Sequence, residues 1–337
     1  MKALVYFQPS LESIEFEGAR VRKNIKGAFE VNNIVYTTNV YDDYDVAYLM
    51  NVVDEKIIDI IKEKNVPVIV SALYAENDLE ASFLEYKNKD GKRILVLKSK
   101  ALRMLNRADL VLVPSKENVE LLRLNGAASR IEVCEGGVNS SRFDFSRADE
   151  KELFYRYFRE DHKKPLVVCF ADYGNKLEGL NALISAAKAC PNVNFYFFGQ
   201  KETKKKMGFF SYRKILHSPK NLKCREIMSE DIYRSAMINA KILVASSYKP
   251  IGVTTIQDAM AAKCQIIARK SAVFTDLIID GETGYIGEFS ETISSLIVDF
   301  LEGREQPTTE EAYKHISEYN LENYGLKLIN YYKELTK

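Results

Sequence analysis

The chain has no tryptophan among its 337 residues, only three histidines, and five cysteines that nowhere form a C-x-x-C pair. Cys134, Cys169, Cys190, Cys224 and Cys264 are too dispersed for a disulfide framework or a thiolate zinc site, so small disulfide-bonded scaffolds and zinc modules are excluded. Cys169 and Cys264 stand inside apolar runs and read as buried small hydrophobes. A basic excess is also missing. The formal charge is +1, from 48 Lys and Arg against 47 Asp and Glu, which argues against a nucleic-acid partner. No stretch of about 18 apolar residues is present, so no membrane span is expected. The opening run Met1-Lys-Ala-Leu-Val-Tyr-Phe7 goes straight into a strand-like segment, without the apolar region and cleavage site of a signal peptide. These absences together predict a cytoplasmic protein, which would meet a membrane only peripherally, at the inner face of the plasma membrane.

What is there suits a soluble globular chain long enough for two cores, with 46% hydrophobic and 28% charged residues. Short apolar runs alternate with helical spacing from end to end, the pattern of parallel α/β architecture. In the first half, strands are expected at Ala3–Phe7, Ile34–Thr37, Val46–Leu49, Val68–Val70, Leu110–Val113 and Ile131–Val133. Helices are expected at Gly18–Phe29, Glu55–Glu63, Arg93–Arg107 and Lys116–Leu124, the last capped by Ser115 and closed by Asn125-Gly126. The alternation restarts at Leu166–Ala171, with further strands at Asn194–Phe198, Lys241–Ala245, Gln265–Ala268 and Gly284–Ile286. Helices near Leu180–Cys190, Asp231–Asn239, Thr255–Ala262 and Glu291–Leu301 separate them. This divides the chain into a Rossmann-like domain over 1–145, an inter-domain segment over 146–164, a second Rossmann-like domain over 165–305 and a helical tail over 306–337.

One stretch carries more than pattern. Lys249-Pro-Ile-Gly-Val-Thr-Thr-Ile-Gln-Asp-Ala-Met-Ala-Ala-Lys263, followed by Gln265-Ile-Ile-Ala268 and Asp280-Gly-Glu-Thr-Gly284, reads as loop, small-residue helix, buried strand and glycine-bounded turn. That order resembles the donor-site signature of the retaining, nucleotide-sugar-dependent glycosyltransferases of family 4. Phe195-Tyr-Phe-Phe-Gly199 and Cys224–Arg234 resemble the elements that line their nucleotide pocket, with Gly199 and Ile227 at the nucleotide. Tyr36-Thr-Thr-Asn39 with Asp42-Asp-Tyr-Asp45, and Leu110-Val-Leu-Val-Pro-Ser115, look like the small bacterial members that glycosylate diacylglycerol glycolipids. The resemblance implies an α/β, GT-B fold: two Rossmann-like domains facing a central cleft, with a C-terminal helix that crosses back to the first domain. The tail Glu310–Leu335, a Tyr-rich helix or helix pair, fits that last element.

The resemblance also implies chemistry without a metal or a cofactor, in which protein cations and helix N-termini neutralise the leaving diphosphate of the nucleotide sugar, a UDP-sugar being favoured. The candidate cations are Arg20 and Lys176. Gly252, Thr254, Thr255 and Gln257 fall at the expected phosphate and ribose positions, and Asp258 takes the place of the acid that holds the ribose. An acid in the first turn of a helix is also simply favourable to its dipole. The departures are as marked. The first acid of the signature falls on Pro250 or Lys249, and the family's Lys-Gly reads Glu178-Gly179. The first loop, Ser13–Arg20, holds one glycine and places Glu15 and Glu17 beside the phosphate position. The histidine that contacts the transferred sugar has no counterpart, since none precedes His162, and Val70–Tyr74 stands where it should be; Tyr74 is a candidate to bond a sugar hydroxyl. His162, His217 and His315 lie in polar contexts and read as exposed.

Lys201 to Arg225 carries nine Lys and Arg against one Glu, and within it Lys204–Lys214 interleaves cations with Phe209, Phe210 and Tyr212. Such a segment suits an anionic membrane surface or is a solvated surface. Lys98, Lys100, Arg103 and Arg107 with Leu95, Leu97, Leu102 and Leu105 form a second candidate for an amphipathic membrane helix, although their faces do not separate cleanly. The expected function is transfer of a hexose from a nucleotide sugar to a glycolipid or cell-surface glycan. The alternative is an inactive GT-B pseudoenzyme that serves an active partner glycosyltransferase.

Overall fold

The fold was derived from a computed structural model, which describes residues 1–7, 17–51, 54–74, 82–87, 93–144, 148–170, 180–199, 217–226, 229–246, 253–270 and 277–337. The chain divides into two compact units. Unit 1 comprises residues 1–139, 250–254 and 319–337, and unit 2 comprises 140–249 and 255–318.

Unit 1 is built on the apolar runs β1 (Lys2–Phe7), β2 (Val35–Thr37), β3 (Val46–Met50), β4 (Val68–Ser71), β7 (Leu110–Val113) and β8 (Ile131–Val133). They form a parallel sheet in the order β2-β1-β3-β4-β7-β8. The central strands β3, β4 and β7 are buried at nearly every position, as expected where crossover helices cover both faces. Those helices are α1 (Glu17–Val31), α2 (Glu55–Glu63), α3 (Ser99–Leu105) and α4 (Lys116–Leu124). Asp54 caps α2, and Ser115 caps α4 as its sequence predicts.

The expected helix over Arg93–Arg107 is corrected here. Residues Arg93–Leu97 are strand β6, paired antiparallel with β5 (Phe83–Lys87), and only Ser99–Leu105 is helical. The run Arg93-Ile-Leu-Val-Leu97 is a short continuous apolar stretch, and its branched Ile94 and Val96 favour a pleated surface. Phe83 and Leu97 turn into the core with Leu95 behind them. The expected amphipathic helix is shortened accordingly, since Leu95 and Leu97 lie in β6 rather than on a helix face. Lys100 and Arg103 of α3, and Arg107 just beyond it, pair with Asp54, Glu55 and Asp59 of the α2 region at 3.9, 2.9 and 2.7 Å.

Unit 2 repeats the plan with β9 (Leu166–Phe170), β10 (Asn194–Gly199), β11 (Leu222–Glu226), β12 (Ala240–Ala245), β13 (Gln265–Arg269) and β14 (Tyr285–Gly287), in the order β11-β10-β9-β12-β13-β14. Its helices are α5 (Ala148–Lys151), α6 (Leu153–Phe158), α7 (Leu180–Ala189), α8 (Glu230–Asn239), α9 (Val253–Ala261, from Thr255 onward), α10 (Ser290–Leu301) and α11 (Thr309–Ser317). Phe195 and Phe197 face α7 and α10 in one core layer. Tyr196 meets the fully buried Phe154 of α6 edge-on at 5.0 Å.

The tail is a helix pair. Its second member, α12 (Leu321–Leu335), is part of unit 1 and buries Leu321, Tyr324, Leu328 and Tyr332 in the layer that holds α1. All five cysteines are free thiols, four of them buried. Among the described residues no helix is long and apolar enough to cross a membrane.

Candidate functional site

In an open parallel sheet, ligands bind outside the carboxyl ends of the strands where the strand order reverses. In unit 2 that point lies between β9 and β12: the chain moves outward from β9 to β10 and β11, then returns to β12 on the other side. Buried Cys169 and Ser246 fill it, with Sγ and Oγ 3.4 Å apart. Gly199 ends the neighbouring β10 and is buried beside Glu226 of β11.

The helix that follows β12 begins at Val253, two residues earlier than its sequence suggests, so Thr254 and Thr255 belong to its first turn. Thr254 and Gln257 are buried, and Thr255 is half-buried. The earlier start also moves Asp258 to the second turn, where the helix dipole gives it little. Another group accounts for its placement. Tyr233 of α8 donates its hydroxyl to Asp258 Oδ2 at 2.9 Å, and both side chains are fully enclosed. The Tyr233 ring in turn meets Phe170, the last residue of β9, edge-on at 4.8 Å. The strand end, the tyrosine and the carboxylate thus form one packed row. A buried carboxylate needs such a hydrogen bond to be tolerated at all.

Sequence reasoning missed Tyr233, which stands 25 residues before Asp258 and meets it only through the fold. It also missed Arg269 at the end of β13. This buried guanidinium donates to the carbonyls of Ser246 and Glu288, each at 3.2 Å, and to Ser290 Oγ at 3.4 Å. An arginine closing the apolar run Gln265-Ile-Ile-Ala268 was the available signal. It ties the segment after β12 to the turn after β14, on the edge of the sheet where the strands end.

In unit 1 the corresponding reversal lies between β1 and β3. Arg20, in the first turns of α1, is buried with 2% exposure. Two further cations of α1 stand over the Phe7 ring at the end of β1, Arg22 at 5.4 Å and Lys26 at 5.7 Å. Tyr74 donates its hydroxyl to the carbonyl of Cys134 inside unit 1, and burial pushes that phenol well above its ordinary value. It anchors the β8 end rather than offering a sugar contact. His162 and His217 are exposed and His315 is half-buried. Lys176, Glu178, Ile227, Lys249, Pro250, Gly252, most of the first loop including Glu15, and the Lys204–Lys214 segment lie outside the described residues.

A cavity of about 300 Å³ in unit 2 involves Lys263 and Tyr313. It sits at the C-terminal end of α9, the opposite end from the strand-order reversal, so it is not the site described above.

The chain matches the sequence model of the family described as glycosyl transferases group 1 over residues 154–322. No match was found among curated proteins. Among solved structures it is similar to the Anabaena protein HepE (Alr3699), crystallised with UDP, at 15% identity and TM-score 0.71, covering 99% of this chain and 100% of that one. A glycosyltransferase from Rickettsia africae is 14% identical with TM-score 0.72, covering 100% and 99%. Sucrose-phosphate synthase from Thermosynechococcus elongatus is 16% identical with TM-score 0.65, covering 95% and 79%. These likenesses show the GT-B fold.

Proposed function

The chain belongs to the glycosyl transferases group 1 family, and from that premise we propose that it transfers a hexose from a nucleotide sugar to a glycolipid or cell-surface glycan. In this reading the reaction retains anomeric configuration and needs no metal. The observation that carries it is the row at the strand-order reversal of unit 2, where a helix N-terminus follows β12 and Asp258 is held by Tyr233. First-turn amides and the helix dipole suit a diphosphate. A fixed carboxylate one turn further along suits the vicinal hydroxyls of a ribose. A uridine donor is supported by HepE, which has been crystallised with UDP and with UDP-glucose. Arg20 and Lys176 are the candidate cations for the charge that develops on the leaving group. The Lys204–Lys214 segment is a candidate contact with an anionic membrane at the inner face.

Two observations favour a second reading. The Asp258 carboxylate is fully enclosed, and no histidine precedes His162; both suit a GT-B pseudoenzyme that partners an active transferase.

Calorimetric titration with UDP, GDP, ADP and UDP-glucose in EDTA separates the two. Micromolar binding of UDP that is lost in Asp258→Ala supports the transferase. Absence of binding to every nucleotide leaves the pseudoenzyme.

A further inference from the structure

At the carboxyl edge of the unit 2 sheet, one side chain spans three neighbouring strand ends. The register sets Ala245 of β12 opposite Ala268 of β13, and Arg269 of β13 opposite Gly287 of β14. The next residues out are Ser246 on one side and Glu288 on the other. Arg269 reaches both. Its Nε donates to the Ser246 carbonyl and its Nη1 to the Glu288 carbonyl, each at 3.2 Å, while Nη2 donates to Ser290 Oγ at 3.4 Å. Ser246 is held a second time, with its Oγ 3.4 Å from Cys169 Sγ of β9. The Lys270 amide still bonds the Gly287 carbonyl at 2.9 Å, so β13 and β14 stay paired where the fork acts.

A carbonyl at a strand exit loses its ladder donor and needs another. A planar guanidinium offers several N–H groups in a rigid fork, whereas a lysine ammonium is a point charge on a flexible stem. Arg269 is only 3% exposed, and taking an ion out of water costs about several kcal/mol. An apolar residue would continue the run Ile266-Ile-Ala268 without that cost, so sheet stability alone does not account for the arginine. What the fork fixes is where the chain leaves the sheet. The exit of β12 at Ser246 leads to Thr255, Gln257 and Asp258 of α9, and Ser290 is the first residue of α10. We propose that Arg269 is a positioning residue for the nucleotide-sugar site, setting the exit of β12 against the start of α10 without itself touching the donor. This role rests on the donor reading of unit 2 and adds to it a residue outside the signature stretch.

Two variants separate position from charge. Arg269→Lys keeps the cation and loses the fork, and Arg269→Met keeps the apolar stem and loses both. Each should weaken UDP binding by about tenfold, measured by calorimetry at a temperature where circular dichroism shows the variant folded. Hydrogen exchange should quicken in peptides from the end of β12, the first turns of α9 and the start of α10, and stay at the wild-type rate in β9 and β10. Ser290→Ala removes one arm of the fork at a half-buried site. It should weaken UDP binding about threefold at an unchanged melting temperature, which keeps the role testable if the Arg269 variants unfold. Wild-type affinity in Arg269→Lys would assign the effect to charge and overturn the positioning role. Wild-type affinity in Ser290→Ala, or exchange that quickens evenly across unit 2, would overturn it as well. A wild-type protein that binds no nucleotide would overturn the donor reading, and this role with it.

Discussion

At the scale of single residues, the feature that distinguishes this chain is the Tyr233 hydroxyl on Asp258. A hydrogen bond to a buried carboxylate contributes about 1.5–3 kcal/mol, and its removal leaves the charge one donor poorer in a dry site. Tyr233→Phe keeps the ring packing on Phe170 and deletes only that bond. It should lower the unfolding temperature of unit 2 by about 4–8 °C, from roughly 2 kcal/mol in a unit of this size. If Asp258 holds the ribose, the same substitution should also weaken UDP binding by about tenfold, and UDP protection of the melt would shrink with it. A lower melting temperature with unchanged UDP affinity would make the pair purely structural. The spacing to Ala259-Met260 made Asp258 legible in the sequence, because a helical signature fixes which residue an acid replaces. Tyr233 and Arg269 were not legible in the same way, since their partners come from other elements.

At the scale of elements, the strands and most helices followed from period and capping, and the hairpin did not. Its second strand runs into a helix with only Lys98 between them, so apolar residues of both periods merge into one ambiguous stretch. Asp90-Gly91 between the short runs Phe83–Lys87 and Arg93–Leu97 was the overlooked hairpin signal. The cations beyond it also show why charge patterns mislead when read alone. They pair with the acids of α2, and being largely exposed they contribute little each, about 0–1 kcal/mol.

The contact between α1 and α12 gives a sharper test. Asn32 donates to the carbonyls of Ala28, Leu321 and Glu322, joining the two helices. A methyl on Gly325 would lie 2.0 Å from Asn32 Nδ2 and 2.7 Å from the Ala28 carbonyl oxygen. Helix propensity favours Ala over Gly by about 1 kcal/mol, but overpacking against backbone costs about 1–3 kcal/mol and the Asn32 bonds are lost as well. Gly325→Ala should therefore destabilise unit 1. Gly27→Ala, whose methyl meets only the movable end of Leu321 at 2.8 Å, should be close to neutral. Denaturant melts of the two variants give the comparison, and equal effects would contradict the placement of α12.

At the scale of the whole molecule, unit 1 is assembled from both ends of the chain. Its interior carries a cluster of tyrosines. Tyr48 and Tyr324 bond through their hydroxyls at 3.0 Å, and burial raises the pKa of both, and of Tyr74 and Tyr332. Cys134 beside them is pushed up to about 11. The unfolded phenols ionise near pH 10 while the folded ones keep their protons, so above that pH the unfolded state binds fewer protons and stability falls. Stability from this cluster should be complete below about pH 10 and drain away as pH rises further, with a second rise of tyrosinate absorbance, beyond that of the exposed tyrosines, appearing together with loss of α12. A tyrosinate signal from a still-folded unit 1 larger than its exposed tyrosines, such as Tyr41 and Tyr86, can supply would show these phenols to be accessible.

The same architecture makes the tail indispensable. Removing residues 319–337 strips Leu321, Tyr324, Leu328 and Tyr332 from the core, together with the Val138 amide's bond to the Tyr319 carbonyl at 2.8 Å. At about 1.5–3 kcal/mol for each large apolar side chain, the loss is roughly the whole stability of a domain, about 5–15 kcal/mol. A fragment of residues 1–139 should therefore show no cooperative unfolding until a peptide of residues 319–337 is added. A fragment of residues 140–318, which contains all of unit 2, should unfold cooperatively by itself. Cooperative melting of 1–139 alone would mean that the sheet and α1 suffice, and that α12 is an accessory rather than the element that closes the core.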